Sequence, residues 1–370
     1  MSIEPIFAPP HPTMPRDLLK AGIPFLDVRA EVEFAKGAMP NAFNLPILNT
    51  DERHQVGICY KEQGQEEAIK LGHLLLSGQT RQRRLDHWCQ FLAANPSANV
   101  YCWRGGMRSN LTQQWMRAEG FDIALVPGGY KALRKVILAE LENISQSSIV
   151  IIGGKTGTAK TPLINALDTG IDLEGFAHHR GSSFGRRVQE PPCQSDFENA
   201  LAVDVMKKVD RSPEQYLFFE DESRNVGPLS IPLQMWQSMS EAKVAVVDMP
   251  LEFRVQRVLQ EYVIEMLQEH IAVDAKSGPE NYRQQLLASL FRIRKRLGSE
   301  RYVKLEAIMG AAIEEQLASG DTSMHDGWIE ALLTDYYDPM YEYQLSGKKD
   351  RVVFAGDYQQ VLEWAAQLRY

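Results

Sequence analysis

The stretch NVYCWRGGMRSN, residues 99–110, decides the reading of the first half of the chain. Asn99 to Cys102 carries β-branched and aromatic residues and reads as a strand that ends on a thiol. Gly105 and Gly106 then turn the chain, and SNLTQQWMRAEG (109–120) places Leu111, Trp115 and Ala118 on one helical face before a stop at Gly120. A strand, a glycine turn and a helix in that order leave the first N–H groups of the helix unpaired above the sulfur. The helix N-terminus adds positive potential there, and Arg104 and Arg108 add charge. Such surroundings lower a thiol pKa, make Cys102 a nucleophile and hold an anion beside it. A buried core cysteine requires neither the glycine pair nor the arginines.

Outward from this loop the same grammar repeats. IPFLDVRA (23–30) and AFNLP (42–46) read as strands, with a short helix at EVEFAKG (31–37). Residues 51–95 read as mostly helical, and IALVPGGYKALRKVILAEL (123–141) as strand, Gly-Gly turn and helix. Alternating strands and helices define a parallel α/β layer. The polar segment ENISQSS (142–148) marks a boundary. The expected organisation is a Pro-rich flexible tail over 1–15, a first α/β domain over 16–142, and a second over 147–370 with a helical insertion and a closing strand and helix at RVVFAGDYQQVLEWAAQL (351–368).

The 370 residues suffice for two domains with full cores. No apolar run approaches the length that spans a bilayer, and the N-terminus lacks an apolar signal region, so the expected location is the cytoplasm. Cys59, Cys89, Cys102 and Cys193 form no C-x-x-C pair, which argues against a zinc or iron–sulfur site. Three of them read as buried thiols. A net charge of −8 weighs against nucleic acid as partner but allows a local basic face. Two stretches offer one. AHHRGSSFGRR (177–187) contains Arg180 and Arg186 and reads equally as an anion or RNA contact and as a mobile basic loop. FRIRKRLGSERY (291–302) sets Arg292 and Arg296 on one helical face.

The second domain opens with SIVIIGG followed by GKTGTAKT (154–161), a strand, loop and helix of Walker A type. Gly154, Lys160 and Thr161 fit the strict pattern, and Lys155, Thr156, Gly157 and Thr158 complete the phosphate-binding turn. Ala159 stands where the second glycine belongs, and its Cβ crowds the loop. Lys160 is expected to reach phosphate oxygens, and Thr161 to donate a hydrogen bond or to ligate a metal such as Mg2+. LFFEDES (217–223) reads as the partner strand, with Glu220 and Asp221 at its end and Glu222 in a solvated acidic turn. His178 and His179 are adjacent and diverge, so no metal site is expected.

LDVRAEVEFAKGAMPNAFNLP (26–46), VYCWRGGMRS (100–109) and VPGGYKALR (126–134) resemble the rhodanese sulfurtransferase domain. Asp27 and Arg29 match the Asp and Arg of its first motif. Ala38 departs from it, since many rhodaneses have His after the glycine. Five residues separate Cys102 from Arg108, one more than in most rhodaneses, and that spacing equals the C-x5-R of phosphatases on the same fold. The rhodanese-like parallel sheet domain joined to a P-loop NTPase-like α/β domain with a helical region resembles, over most of the chain, the tRNA 2-selenouridine synthase family. LNTDERHQVGICYKEQG (48–64), GIDLEGFAHHRGSSFG (170–185), FEDESRNVG (219–227) and YYDPMYEYQ (336–344) carry that likeness.

The resemblance implies a transferase that replaces sulfur by selenium in 2-thiouridine at the tRNA wobble position. Selenophosphate is the implied selenium donor, and S-geranylation from geranyl diphosphate is the implied activating step. It assigns Cys102 to selenium, as a selenium-loaded cysteine, with Arg104, Gly105, Gly106 and Arg108 around selenophosphate. The P-loop then holds the diphosphate of the geranyl donor. tRNA is the implied partner, with no tightly bound cofactor and a monomeric chain. Two other readings stand beside it: an ATP-dependent sulfurtransferase that activates a substrate at the P-loop, and a non-catalytic anion sensor.

Overall fold

The structure, a computed structural model, describes residues 14–211 and 216–369. The chain divides into two compact units: one runs to Leu141 and takes in Cys193–Lys207, and the other is Glu142–Pro192 with Lys208–Tyr370. The first cut falls at the polar segment that follows residue 141. The segment 193–207 corrects the simple partition, because its contacts are with the first unit. The tail expected over 1–15 lies outside the described residues except at its end, where Pro15 opens a helix, Pro15–Ala21. Proline at the first helical position costs no hydrogen bond.

The first unit is built on four parallel strands: β1 (Phe25–Asp27), β2 (Ala42–Asn44), β3 (Asn99–Tyr101) and β4 (Ala124–Leu125), in the order β2-β1-β3-β4. Leu26 pairs in register with Val100, and both are fully buried. They pack with Val28, Trp88, Leu92 and Met116 into one core. Between β2 and β3 the chain makes three helices, Thr50–Gln63, Gln65–Leu75 and Gly78–Ala94. A capping box starts the first: the Asn49 side chain accepts from Glu52 N–H, and the Glu52 carboxylate accepts from Asn49 N–H. Because β1 has β2 on one side and β3 on the other, the strand order reverses at its carboxyl end. That is where an open α/β sheet leaves a crevice for a ligand.

The second unit has a five-stranded parallel sheet of β5 (Ile149–Gly154), β6 (Gly170–Ile171), β7 (Leu217–Glu220), β10 (Lys243–Val247) and β11 (Val352–Gly356), in the order β11-β10-β5-β7-β6. A two-stranded hairpin, β8 (Asn225–Val226) and β9 (Leu229–Ser230), lies between β7 and β10 in sequence. The central β5 is buried along its whole length, as its unbroken IVIIGG run requires. Between β10 and β11 the chain forms a helical body, Leu251–Ser346, with its own core around Tyr282, Met309, Ile313 and Trp328. Two single π-helical turns, Gln260–Ile264 and Leu333–Tyr337, interrupt it. Such turns often sit at functional positions.

Candidate active site

Cys102 leaves the carboxyl end of β3 and its loop is held from behind by the turn at VPGGYK. Tyr130 N–H donates to the Cys102 carbonyl at 2.9 Å and Lys131 N–H to the Trp103 carbonyl at 3.0 Å. Gly129 has φ 61°, and a Cβ there would lie 2.3 Å from the Cys102 oxygen and 2.4 Å from Gly105 N. No other residue fits this crossing of two backbones. The two motifs therefore form one object: the second is the back wall of the first.

At the sulfur, Gly106 N–H donates from 3.3 Å and the Ser109 hydroxyl lies 3.3 Å away. Burial pushes the Cys102 thiol up. The hydrogen bond from Ser109, backbone N–H groups of Ser109 and Arg104, and the charge of Arg108 outweigh it, and the net shift is down. Burial raises Cys89, helped by Glu119 and Asp86, and it is also the main cause that raises Cys193. Thiolate at Cys102 thus forms at lower pH. Iodoacetamide alkylation followed by peptide mass analysis is expected to reach half its maximal rate at Cys102 at a lower pH than at Cys89 and Cys193. Coincident profiles would remove the cradle account.

The arginines behave differently from each other. Arg104 is exposed, lines the cleft over the sulfur and has no ion-pair partner among the described residues. Arg108, expected beside it as a free anion holder, is gripped by Glu33 at 2.6 and 3.1 Å, and Arg53 contacts the same carboxylate at 3.0 Å. Glu33 gave no signal in the sequence beyond its place in a short helix. Asp27 and Arg29 form a buried pair below the loop: Arg29 Nε and Nη2 donate to Asp27, and Nη2 also donates to Gly37 O at 2.8 Å. At Ala38, the departure from the rhodanese pattern, both backbone groups are taken by the 193–207 segment. Ala38 N–H donates to Asp196 at 2.6 Å, and Asn199 donates to Ala38 O at 2.7 Å.

In the second unit the loop 154–161 joins β5 to the helix Lys160–Ala166. Lys160 Nζ folds back to donate to the carbonyls of Gly154 at 2.9 Å and Lys155 at 3.3 Å. Thr158 Oγ1 donates to Lys155 O at 2.9 Å, closing the turn. The Lys155 side chain leaves the loop for Glu342 at 2.7 Å and Asp338 at 3.5 Å. Arg254, which the sequence did not single out, is a clamp: buried, it donates to Thr156 O at 2.9 Å and pairs with Asp338 at 2.9 and 2.6 Å. Asp338 belongs to the quoted YYDPMYEYQ stretch, which was its only signal. Ala159 sits in the left-handed region, φ 62° and ψ 39°, which costs an L-residue about 1–2 kcal/mol. Replacing it by glycine relieves that strain and loosens the unfolded chain by about 0.4–1 kcal/mol. Ala159→Gly is therefore expected to raise stability by about 0.5–1 kcal/mol in urea titration; a loss would show that the loop tolerates the Cβ without strain.

Acidic side chains gather behind Lys160. Thr161 Oγ1 donates to Glu174 at 3.1 Å, and Glu222 hydrogen-bonds Glu174 rather than standing in a solvated turn as expected. Burial, then the charge of Glu174, raises Glu222 well above the carboxylate range. Glu220 is fully buried, accepts from Leu173 N–H at 2.9 Å and is raised by burial and by Asp172. Asp221 is paired with Lys348. Among the described residues no three His, Cys, Asp or Glu side chains converge as a metal-binding set.

The two basic stretches meet. Arg292 donates to Ser183 O at 2.6 Å and Gln285 to Arg186 O at 2.6 Å. Arg292 is lowered by burial and by neighbouring Arg186, and His179 by burial, Arg292 and Arg187. Cations repel one another here, although Arg186 also pairs with Glu190 at 3.3 Å. Arg296 is exposed on the same helix. Arg180 does not join this face: it is buried, 3.8 Å from Glu265 and over the Tyr262 ring.

A cradled cysteine on one parallel sheet and a phosphate loop on a second define a group-transfer enzyme, a transferase. Two family models divide the chain accordingly: the Rhodanese-like domain matches residues 16–135, and the tRNA 2-selenouridine synthase AAA domain matches 147–369. A tRNA 2-selenouridine synthase of Photobacterium profundum is 46% identical over 352 residues, covering 95% of this chain and 96% of that protein. One of Pseudomonas putida strain GB-1 is 47% identical, covering 94% and 95%. One of Marinobacter nauticus is 47% identical, covering 93% and 94%. The chain belongs to the tRNA 2-selenouridine synthase family. Among the described residues no helix is long and apolar enough to cross a membrane.

Proposed function

We propose that this enzyme converts 2-thiouridine at the tRNA wobble position to 2-selenouridine through an S-geranylated intermediate, with geranyl diphosphate and selenophosphate as donors. A thiocarbonyl sulfur leaves C2 poorly. In the first step it attacks C1 of geranyl diphosphate, the C1–O bond breaks, and diphosphate departs against Lys160. In the second, selenium bonds C2, the C2–S bond breaks, and the sulfur leaves as geranylthiol. Water cleaves the P–Se bond to phosphate.

The observation that carries this reading is a groove of about 810 Å³ beside the cysteine loop, running from Met107 past Leu111 to Ile47, Val56 and Ile69. An apolar ten-carbon chain has a place to lie along the helix that follows the cysteine loop; a bare thiouridine needs none. The P-loop also faces an apolar wall, since Thr156 borders a small cavity lined by Phe184, Val258, Tyr262, Trp328 and Tyr337. A Mg2+ ion arriving with the diphosphate would have Thr161 Oγ1 as its ligand, once released from Glu174.

The test is nucleoside mass analysis after incubating the protein with 2-thiouridine tRNA and each donor in turn. Geranyl diphosphate alone should give S-geranyl-2-thiouridine, and both donors 2-selenouridine. ATP hydrolysis stimulated by tRNA, with no need for the prenyl donor, would sink the geranyl route and favour the ATP-dependent sulfurtransferase. For the tRNA face, Arg292→Ala is expected to weaken binding about tenfold and to flatten the slope of log K against log salt by about one. An unchanged slope would remove that helix from the interface.

A further inference from the structure

We propose that Trp103 is a stacking platform for a nucleobase adjoining the reacting uridine, and that the basic cavity behind it holds that nucleotide's phosphate. The cavity, about 520 Å³, is distinct from the cleft over the sulfur, but the two share Trp103 and Arg108 as walls. A base lodged in the sulfur cleft therefore has its neighbour across the Trp103 ring.

The ring is built for this. Trp103 is large, apolar and 41% exposed, although it directly follows a buried cysteine. One face is taken: Tyr130 stacks on it with centroids 5.3 Å apart and planes 25° off parallel. The Arg29 guanidinium lies beside this pair, 3.9 Å from the Tyr130 centroid and 5.9 Å from that of Trp103. The cluster of Arg29, Tyr130 and Trp103 holds the indole from one side, so a base that stacks on the exposed side loses little to ordering the protein. Beyond the ring, five cations and one carboxylate, Glu33, line the cavity. Glu33 already serves both Arg53 and Arg108. Lys36 has no ion-pair partner among the described residues, and Arg134 is paired with Glu198. An aromatic face beside an excess of Lys and Arg is the chemistry that binds single-stranded nucleic acid. A free phosphate or selenophosphate shares the charge but has no use for the ring.

The proposal rests on tRNA being the substrate. Its test uses the full-length protein without donors and a fluorescein-labelled anticodon stem-loop with 2-thiouridine at the wobble position, read by anisotropy. Trp103→Ala should weaken binding about tenfold or more, Trp103→Phe should stay near wild type, and Trp103→Leu should behave like alanine. Lys36→Ala should lower the salt slope by about one without changing the aromatic dependence. In parallel, RNA should shield Cys102 from iodoacetamide in the wild type and the Phe variant but not in the Ala and Leu variants. Equal affinity of the Phe and Leu variants, or of the Ala variant and wild type, would overturn the platform. So would inorganic phosphate displacing the RNA equally well from the wild type and Trp103→Ala. A wild type that binds no RNA would instead sink the tRNA reading itself.

Discussion

Cys102→Ser is expected to lower 2-selenouridine formation by about 10³-fold or more while S-geranyl-2-thiouridine accumulates in the same tRNA. A serine hydroxyl at this place has the same hydrogen-bond neighbours, Gly106 N–H and Ser109. It holds its proton far more tightly than the Cys102 thiol, which its neighbours shift towards the thiolate. The loop itself should survive, because its geometry comes from Gly129 against the Cys102 carbonyl and from the Tyr130 and Lys131 N–H groups. None of these involves the sulfur. Far-UV circular dichroism and the thermal midpoint should therefore match the wild type, and geranylation measured with geranyl diphosphate alone should be unchanged. Loss of geranylation in a folded Cys102→Ser protein would show that both steps share the cysteine.

How much of this was legible from sequence follows the range of the interactions. The cysteine loop and the P-loop were readable because each is a contiguous strand, turn and helix with glycines at the turn. Both sheets followed from alternating elements, and the helical body between β10 and β11 from periodicity. What stayed hidden depends on distant pairing. The grip of Glu33 on Arg108 joins residues 75 apart, and that of Arg254 on Asp338 residues 84 apart. Neither glutamate nor arginine differs locally from a solvated surface charge. The 193–207 segment looked like part of its own half of the chain, and only Asp196 and Asn199 bonding Ala38 show where it packs. Arg180 misled for the same reason: within its loop it resembles Arg186, yet it is buried over Tyr262 while Arg186 is exposed.

Lys160→Ala should abolish geranylation, by about 10²–10³-fold in rate, and 2-selenouridine formation from plain 2-thiouridine should fall with it. The charge of Lys160 is the one the P-loop offers to a departing diphosphate. Lys155, the other lysine of the loop, is drawn off by Glu342 and Asp338, and Arg254 spends its guanidinium on Asp338 and Thr156 O. Lys160 donates to two loop carbonyls, which an incoming phosphate can displace, and it lies within the field of Glu174 and Glu222. Its loss should leave the turn standing, since Thr158 and Arg254 brace it independently. The decisive arm is rescue. Supplied with tRNA already S-geranylated, the Lys160→Ala protein should form 2-selenouridine near the wild-type rate, and the Cys102→Ser protein should form none. Failure of that rescue in a folded Lys160→Ala protein would mean that the P-loop serves the selenium step as well. Retained geranylation would mean that the diphosphate is held elsewhere.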